Sequence, residues 1–319
     1  MKKLTRAAAL IITAMLILTC MPLSVSAVQV AGEPYCAGDV DGDGIVTAAD
    51  ARKALRIATK LEAPENEESE YAADVDWVPG VSASDARAIL RAATGLSAVD
   101  IPSSKEGIVN YFNAKSNDVK NLRPGMTRVD TATATEIGSS NALLNTLIKS
   151  GLTQEDMAPK TSEPIKVSPG KSLINRYPVA GRAWSSKLLA SDVKSAIISK
   201  SGDNYIVTIV LTDRTYSELA DDPTQTAHGK VFDLPSRAEV ESGFSALEGG
   251  SVTAVRPSYK NAQVKLTVSA ATGNAVAADY DIDMTFDMDI QMENLSSVMN
   301  VYFTTHSDVE ITLGAPVAS

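Results

Sequence analysis

An internal duplication constrains this chain more than any other feature of its sequence. Residues 38–61 (GDVDGDGIVTAADARKALRIATKL) align without gaps on residues 73–96 (ADVDWVPGVSASDARAILRAATGL), and thirteen of the 24 positions are identical at an offset of 35. Self-similarity of this density indicates a duplicated supersecondary unit. Each copy begins with acidic residues and continues with apolar residues at helical spacing, so the sequence predicts two loop–helix units.

The first copy carries oxygen-bearing side chains at the spacing of an EF-hand calcium loop. Asp39, Asp41 and Asp43 occupy the first, third and fifth places, and Gly44 at the sixth place allows the sharp turn that the loop requires. Alternate residues of such a loop point inward, and calcium takes roughly six to eight oxygen ligands. The alternative is a solvated acidic turn. We predict a tight calcium site whose ligands are Asp39, Asp41, Asp43, the carbonyl of Ile45, Thr47 and Asp50.

The second copy is an altered version of the same loop. Val78 replaces the fifth-place carboxylate, and Pro79 replaces the turning glycine. We therefore expect this loop to bind calcium more weakly, or only with an added water molecule. The predicted ligands are Asp74, Asp76, the carbonyl of Gly80, Ser82 and Asp85.

Each loop is expected to lead into one amphipathic helix, over residues 50–61 and 85–96. Two helices of this length make a small core, so metal binding would supply part of the stability. Arginines on the opposite sides of the helices form either a solvated face or a partner surface. The predicted apolar stripes are Ala51, Ala54, Leu55, Ala58 and Leu61 in the first helix, and Ala86, Ile89, Leu90, Ala93 and Leu96 in the second.

This duplicated loop–helix pair resembles the dockerin family over residues 36–98, about a fifth of the chain. The resemblance implies a small all-α calcium-binding domain that docks onto a cohesin module of a scaffolding protein, in a cellulosome-type complex. It also implies cohesin contacts just before the twelfth loop place, where this chain has mainly alanine instead of the hydroxyl pair of many dockerins. A different cohesin class or a more apolar contact would follow. The predicted partner-binding residues are Ala48, Ala49, Arg52, Lys53, Arg56, Ala83, Ser84, Arg87 and Arg91.

Residues 1–27 have the pattern of a secretory signal peptide. Lys2, Lys3 and Arg6 precede an apolar run over residues 7–18, which is short for a membrane span, and small residues at 25–27 suit a cleavage site. We therefore expect a secreted or extracellular protein, held at a cell-surface complex through a scaffold and without membrane insertion after cleavage. A calcium-dependent structural clip without a cohesin partner is the alternative role for the repeat.

Composition excludes some classes of partner. The chain has 39 acidic and 29 basic residues, for a net charge of -10, which argues against nucleic acid as a partner. Only two His and two Cys are present, too few for zinc sites built from several such residues.

The remaining chain predicts a linker at residues 99–107 and a larger α+β domain at residues 108–319, with a mainly antiparallel sheet. The whole chain is thus predicted to be multidomain. The predicted helices lie at 108–120, 143–149 and 237–247. The predicted strands lie at 193–200, 205–211, 252–259, 262–270, 298–305 and 309–313, with a further strand after the turn at 272–274.

Strict period-two alternation marks one strand. Every even position from 280 to 292 is apolar, and positions 279, 281, 283, 287 and 289 are aspartate. Such a strand has one buried and one solvated face. The aspartate row is either a charged face that prevents edge-to-edge aggregation or a site for cations or a basic partner. The methionine-rich face is either ordinary core or the lining of a flexible cavity.

The larger domain shows no recognisable catalytic motif, and we predict no catalytic residue. His228 and His306 are both expected at the surface. We predict a non-catalytic binding or interaction module of unknown ligand. The alternative is a cellulosomal polysaccharide-degrading enzyme of the glycoside hydrolase type, because paired carboxylates perform that chemistry and the domain contains many acids.

Overall fold

The computed structural model describes residues 37–43, 45–76, 80–94, 96, 102, 104–244, 250–270, 272–292 and 298–315. The predicted signal peptide at residues 1–27 lies outside these residues, as do Gly44, Val78 and Pro79 of the two loops. Within the described ranges, no helix is both long and apolar enough to cross a membrane. We call residues 38–96 the repeat segment and residues 104–315 the sheet region.

The described residues of the repeat segment form three helices: α1 (Ala48–Ala58), α2 (Glu67–Ala73) and α3 (Ala83–Ala93). α1 and α3 both begin with a capping box, in which Thr47 or Ser82 is the N-cap and an aspartate three residues later bonds back to the N-cap amide. The predicted helix bounds were wrong at both ends, because capping starts each helix before its aspartate and Thr59 or Thr94 ends it.

The core of the repeat segment lies between α1 and α3 and is built largely from small residues. Ala54 and Ile89 are fully buried, and Ile57 is nearly so. Four leucines of the predicted stripes are instead exposed, in two matching pairs: Leu55 at 45% and Leu90 at 44%, Leu61 at 71% and Leu96 at 70%. The prediction that these leucines are buried is wrong. Ile57 and Ile89 take the inward positions of α1 and α3, which leaves Leu55 and Leu90 outside. Leu61 and Leu96 lie beyond the ends of the two helices.

In the part of the sheet region that the structure describes, nine strands form one antiparallel sheet, which confirms the expected sheet type. The main path runs β2-β1-β9-β8-β7-β5-β4, while β3 pairs with β1 and β6 pairs with β7. The strands are β1 (Met126–Gly138), β2 (Lys160–Thr161), β3 (Ile165–Val167), β4 (Val193–Ser201), β5 (Asn204–Leu211), β6 (Arg214–Thr215), β7 (Gly250–Ser269), β8 (Ala275–Met292) and β9 (Met299–Leu313).

Two strands are longer than the sequence predicted. The predicted strands at 252–259 and 262–270 are halves of β7, and those at 298–305 and 309–313 belong to β9. Asn261 adopts a left-handed conformation (φ 52°), and the β7–β8 register shifts between Lys260 and Gln263. The Lys260-Asn261 pair therefore forms an irregularity in a continuing strand rather than a reversing turn.

Helices and loops cover one face of the sheet. The helix α4 (Lys105–Leu122) packs against β4, β5, β7 and β8, and begins three residues before the predicted start at 108. The even positions of β8 from Tyr280 to Ile290 are buried, as the alternation predicted, and Met284 and Met288 belong to the core. The other elements are α5 (Ala142–Gly151), α6 (Arg237–Phe244) and two short 3-10 helices, Pro223–Gln225 and His228–Lys230.

The two regions meet where the chain enters the first loop. The amide of Ala37 donates a hydrogen bond to Asp118 Oδ1 of α4 at 3.1 Å, and Ala37 packs against the core of the sheet region. The amide of Gly38 donates to the carbonyl of Ala72 at 2.8 Å. Ala37 is therefore tied to the sheet region, and Gly38 to the repeat segment.

Candidate metal-binding loops

The first loop brings three predicted ligands together. Asp39, Asp41 and Asp43 each offer a carboxylate oxygen, and these oxygens lie within 4.8 Å of one another. Asp39 is buried, whereas Asp41 and Asp43 are exposed. Three carboxylates this close repel one another unless a cation lies between them, so the geometry suits a hard, oxygen-preferring ion.

Backbone amides hold these carboxylates in place. Asp39 Oδ1 accepts hydrogen bonds from the amides of Gly42 (2.9 Å) and Asp43 (3.1 Å). Asp43 Oδ1 accepts from the amide of Ile45 at 2.9 Å. The chain therefore wraps around its own acidic side chains, and these hydrogen bonds orient the carboxylate oxygens.

Asp50 has a different position from the other predicted ligands of this loop. It is fully buried, and its Oδ1 accepts from the amides of Val40 (2.8 Å) and Asp41 (3.1 Å). Its Oδ2 accepts from the amide of Thr47 at 2.8 Å and from the Thr47 hydroxyl at 3.1 Å. Asp50 therefore ties the start of the loop to the start of α1 and is not among the three clustered carboxylates.

The second loop also clusters three carboxylates, but uses a different set. Asp74, Asp76 and Asp85 offer oxygens within 4.8 Å of one another. Asp85 accepts from the amides of Val75 (2.9 Å) and Asp76 (2.8 Å), as Asp50 does in the first loop. The twelfth-place residue, Asp85, thus belongs to the cluster of the second loop, in which the fifth place carries no carboxylate.

Two further predicted ligands of the second loop lie beside this cluster. Ser82 donates its hydroxyl to Asp85 Oδ2 at 2.8 Å. The amide of Gly80 donates to Asp74 Oδ2 at 3.3 Å, and Gly80 has a positive φ of 94°. The relative calcium affinity of the two loops stays a prediction.

The predicted partner-binding residues are exposed with one exception, because Lys53 is half-buried. Arg56 Nε pairs with Glu62 Oε2 at 2.7 Å, and Lys53 Nζ pairs with Glu65 Oε1 at 2.9 Å. The predicted partner-binding residues did not include the exposed Leu55 and Leu90. Each of these leucines follows an arginine by three residues, a spacing that places both side chains on the same side of a helix. We call the resulting exposed patterns the repeat faces: Ala48, Arg52, Leu55 and Arg56 in α1, and Ala83, Arg87, Leu90 and Arg91 in α3.

The two histidines of the sheet region have opposite environments. His228 is fully buried against Tyr259, with ring centroids 5.1 Å apart, so its predicted surface position is wrong. Neither ring nitrogen has a hydrogen-bond partner among the described residues. Burial, followed by the nearby charge of Arg214, lowers the pKa of His228 to about 4. His306 is half-exposed, and its Nδ1 lies 2.9 Å from Asp283 Oδ1.

The aspartate row of β8 is partly balanced by basic neighbours. Arg256 of β7 pairs with Asp287 (2.6 Å) and Asp289 (2.8 Å). At the other end, Asp279 stands directly opposite Glu310 of β9. Burial and then the charge of Glu310 raise the pKa of Asp279. One end of the row is thus an ion-pair network and the other retains like charges.

Comparisons of the chain with models of known protein families, with curated proteins and with solved structures gave no match. No relative therefore lends a function to either region. We therefore infer function from the loops, the repeat faces and the side chains of the sheet region.

Proposed function

We propose that the chain is an exported, calcium-dependent docking protein of the dockerin type. The repeat segment binds calcium and docks onto a cohesin module of a scaffold, and the sheet region is carried as a non-catalytic binding module. The observation that carries this proposal is the duplicated arrangement itself. Each of two acidic clusters is followed by a helix that presents the same exposed face.

Calcium suits the clusters better than other common ions. The clustered groups are carboxylates, which are hard oxygen ligands, and the helices that follow provide further oxygens from Thr47 or Ser82. Calcium accepts variable geometry and coordination number, whereas magnesium requires a near-ideal octahedron. An ion in each loop would also relieve the repulsion between the carboxylates and stabilise the segment.

The repeat faces support docking because they are alike in both helices. Leu55 and Leu90 are large apolar side chains that remain almost equally exposed, between arginines at neighbouring helical positions. Arginine is enriched at protein–protein interfaces, and a partner docked on either face would remove the neighbouring leucine from water. Two equivalent faces would allow a cohesin module to bind in either of two orientations.

Calcium titration of the chain from Val28 onward, by calorimetry with circular dichroism, tests the metal part. We expect one tight and one weaker site, with loss of the tight site in Asp39→Asn and no change in Asp203→Asn, an exposed turn residue. Two equally tight sites would contradict the predicted defect in the second loop. No binding at millimolar calcium would remove the proposal.

Binding to purified cohesin modules, with and without a chelator, tests the docking part. We expect calcium-dependent binding that survives Leu55→Asp or Leu90→Asp alone, because either face can serve, and is lost in the double variant. Leu143→Asp is the matched control, because Leu143 is 63% exposed on α5 of the sheet region. Calcium binding without cohesin binding would favour the structural clip instead.

A further inference from the structure

A cavity of about 390 Å³ lies in the sheet region, between the segments 179–182, 221–224 and 229–239. This volume falls within the range of small-molecule sites, roughly 300–1,000 Å³. Gly229 lies where two of these segments meet, and a side chain at that position would collide with the Pro223 carbonyl. The cavity wall therefore depends on a close approach that only glycine permits.

The wall at 179–182 has a strained backbone. Val179 has a φ of 56°, in the left-handed region that β-branched residues rarely adopt. Gly181, two residues later, also has a positive φ of 81°. Such conformations persist only where the surroundings enforce them, and they cluster at binding sites.

Two buried side chains enforce this wall. Lys120 Nζ donates hydrogen bonds to the carbonyls of Val179 (2.9 Å), Arg182 (3.0 Å) and Trp184 (2.9 Å). Asp233 accepts from the amide of Ala180 at 2.7 Å and from Arg128 Nη1 at 3.0 Å. Burying the charged groups of Lys120 and Asp233 is unfavourable unless they are fully hydrogen-bonded. Most of their hydrogen bonds go to the backbone of residues 179–184, and these bonds hold that segment in a fixed shape.

The wall positions a guanidinium at the cavity. Arg182 Nη2 pairs with Asp222 Oδ2 at 2.7 Å, and Asp222 Oδ1 accepts from the amide (3.1 Å) and hydroxyl (2.7 Å) of Thr224. Within the described part of the chain, Nε and Nη1 of Arg182 make no hydrogen bond. Arg182 thus has donors to spare while its orientation is fixed.

An acceptor lines the same cavity. Glu239 Oε2 accepts from the amide and the hydroxyl of Ser236, both at 2.7 Å. Its second oxygen, Oε1, has no hydrogen bond among the described residues. The cavity therefore combines fixed donors and a fixed acceptor with the apolar surface of Phe232 and Leu234.

The charges around the cavity are mostly paired. Arg182 balances Asp222, while Arg128 balances Asp233 and Arg237 balances Asp221. Glu239 disfavours an anion, and Arg182 disfavours a cation. Hydroxyl groups both donate and accept, so they match Arg182 and Glu239 at once.

We propose that this cavity binds a small neutral polyhydroxyl ligand, of the size of a monosaccharide or disaccharide, with Arg182 donating to it and Glu239 accepting from it. This proposal goes beyond the docking function and does not depend on it. Burial acts to raise the pKa of Asp222, but hydrogen bonds from Thr224 and the Arg182 charge outweigh it and lower that pKa. Asp222 is thus an ionised anchor that holds Arg182 at the cavity wall.

Ligand titration of the chain from Val28 onward tests the proposal, with calorimetry and ligand-observed NMR. The neutral probes are glucose, xylose and cellobiose, and the charged probes are inorganic phosphate and ethanolammonium, each up to about 10 mM, near the weak limit of specific binding. We expect at least one neutral probe to saturate and neither charged probe to do so. No binding by the three neutral probes, or tighter binding by a charged one, would overturn the proposal.

Matched variants then place the binding in this cavity. We expect Arg182→Ala to weaken binding about tenfold or more, because it removes hydrogen bonds from a charged donor. Glu239→Gln preserves size and serves if Arg182→Ala unfolds the protein; we expect it to weaken binding about fivefold. The controls are Arg176→Ala and Glu241→Gln, both exposed and outside the cavity lining. Sugar binding that survives both test variants would overturn the assignment.

Discussion

The repeat segment and the sheet region are stabilised by different kinds of contact. Among the described residues, the repeat segment has nine buried apolar residues, and five of them are alanine. The sheet region instead buries large side chains such as Phe112, Phe286 and Phe303. Because burial free energy scales with apolar area, the repeat segment gains less from its core and relies more on the hydrogen bonds of its loops. The two regions should therefore unfold under different conditions.

Their buried polar groups differ in the same way. Asp50 and Asp85 bond to amides that lie within ten residues along the chain. Lys120 bonds to carbonyls about sixty residues away, and Arg128 reaches Asp233 across 105 residues. Local polar contacts form with the loop itself, whereas the long-range contacts exist only once the whole sheet region has folded.

The largest expected effect comes from breaking the long-range network. Lys120→Met should destabilise the sheet region by about 3–5 kcal/mol, because it removes the buried ammonium that donates to the carbonyls of Val179, Arg182 and Trp184. Denaturant unfolding measures this loss, and the helices of the repeat segment should be unaffected. Lys105→Met, at the exposed start of the same helix, is the control. Equal stability of both variants would show that the network adds little.

Acid should also weaken the sheet region through His228. The pKa of His228 is about 4 in the folded protein and about 6.5 in an unfolded chain. Between these values the unfolded chain binds the proton and the folded one does not. The folded state therefore loses stability as the pH falls from about 6.5 to 4, by about 3 kcal/mol in total.

The variant His228→Phe isolates this effect. Phenylalanine keeps an aromatic ring against Tyr259 but does not titrate. Between pH 6.5 and 4, the free energy of unfolding of the variant should therefore fall by about 3 kcal/mol less than that of the unaltered protein. Chemical denaturation at several pH values measures the difference between the two proteins. Identical slopes would mean that His228 is already accessible to protons in the folded state.

Chelation should affect the other region. Removing calcium is expected to lower the stability of the repeat segment by about 2.7 kcal/mol if the free ion exceeds its Kd about 100-fold. Hydrogen exchange resolves the two regions: amides of α1 and α3 should lose protection in chelator, while those of β8 keep it. Loss of protection in β8 would show that the contact between Ala37 and Asp118 couples the two regions.

Sequence reasoning succeeded where the signal is local. The spacing of Asp39, Asp41 and Asp43 predicts their convergence because neighbouring residues of one turn form the cluster. Strict alternation predicts the buried face of β8 for the same reason. The capping boxes at Thr47 and Ser82 were not predicted, although a hydroxyl residue three positions before an acid is a local signature of such a box.

It failed where distant elements decide the outcome. His228 lies in a polar stretch of sequence, and only its packing on Tyr259 buries it. The Lys120 network joins residues that share no local pattern. Leu55 and Ile57 are both apolar, and only the position of α3 determines that Ile57 turns inward. These positions depend on tertiary packing, which overrides a single-helix pattern.

The smallest effect is expected on the open face of the sheet. Arg256→Ala removes the pairs with Asp287 and Asp289, but these groups are about one third exposed. Water screens such pairs, so we expect a loss of about 1 kcal/mol or less, declining with added salt. Lys260→Ala, an exposed cation on the same strand, is the control for removing one positive charge. A stability loss in Arg256→Ala well above that in Lys120→Met would contradict this order of effects. The ion pairs on the surface of the sheet would then contribute more to stability than the buried hydrogen bonds of Lys120.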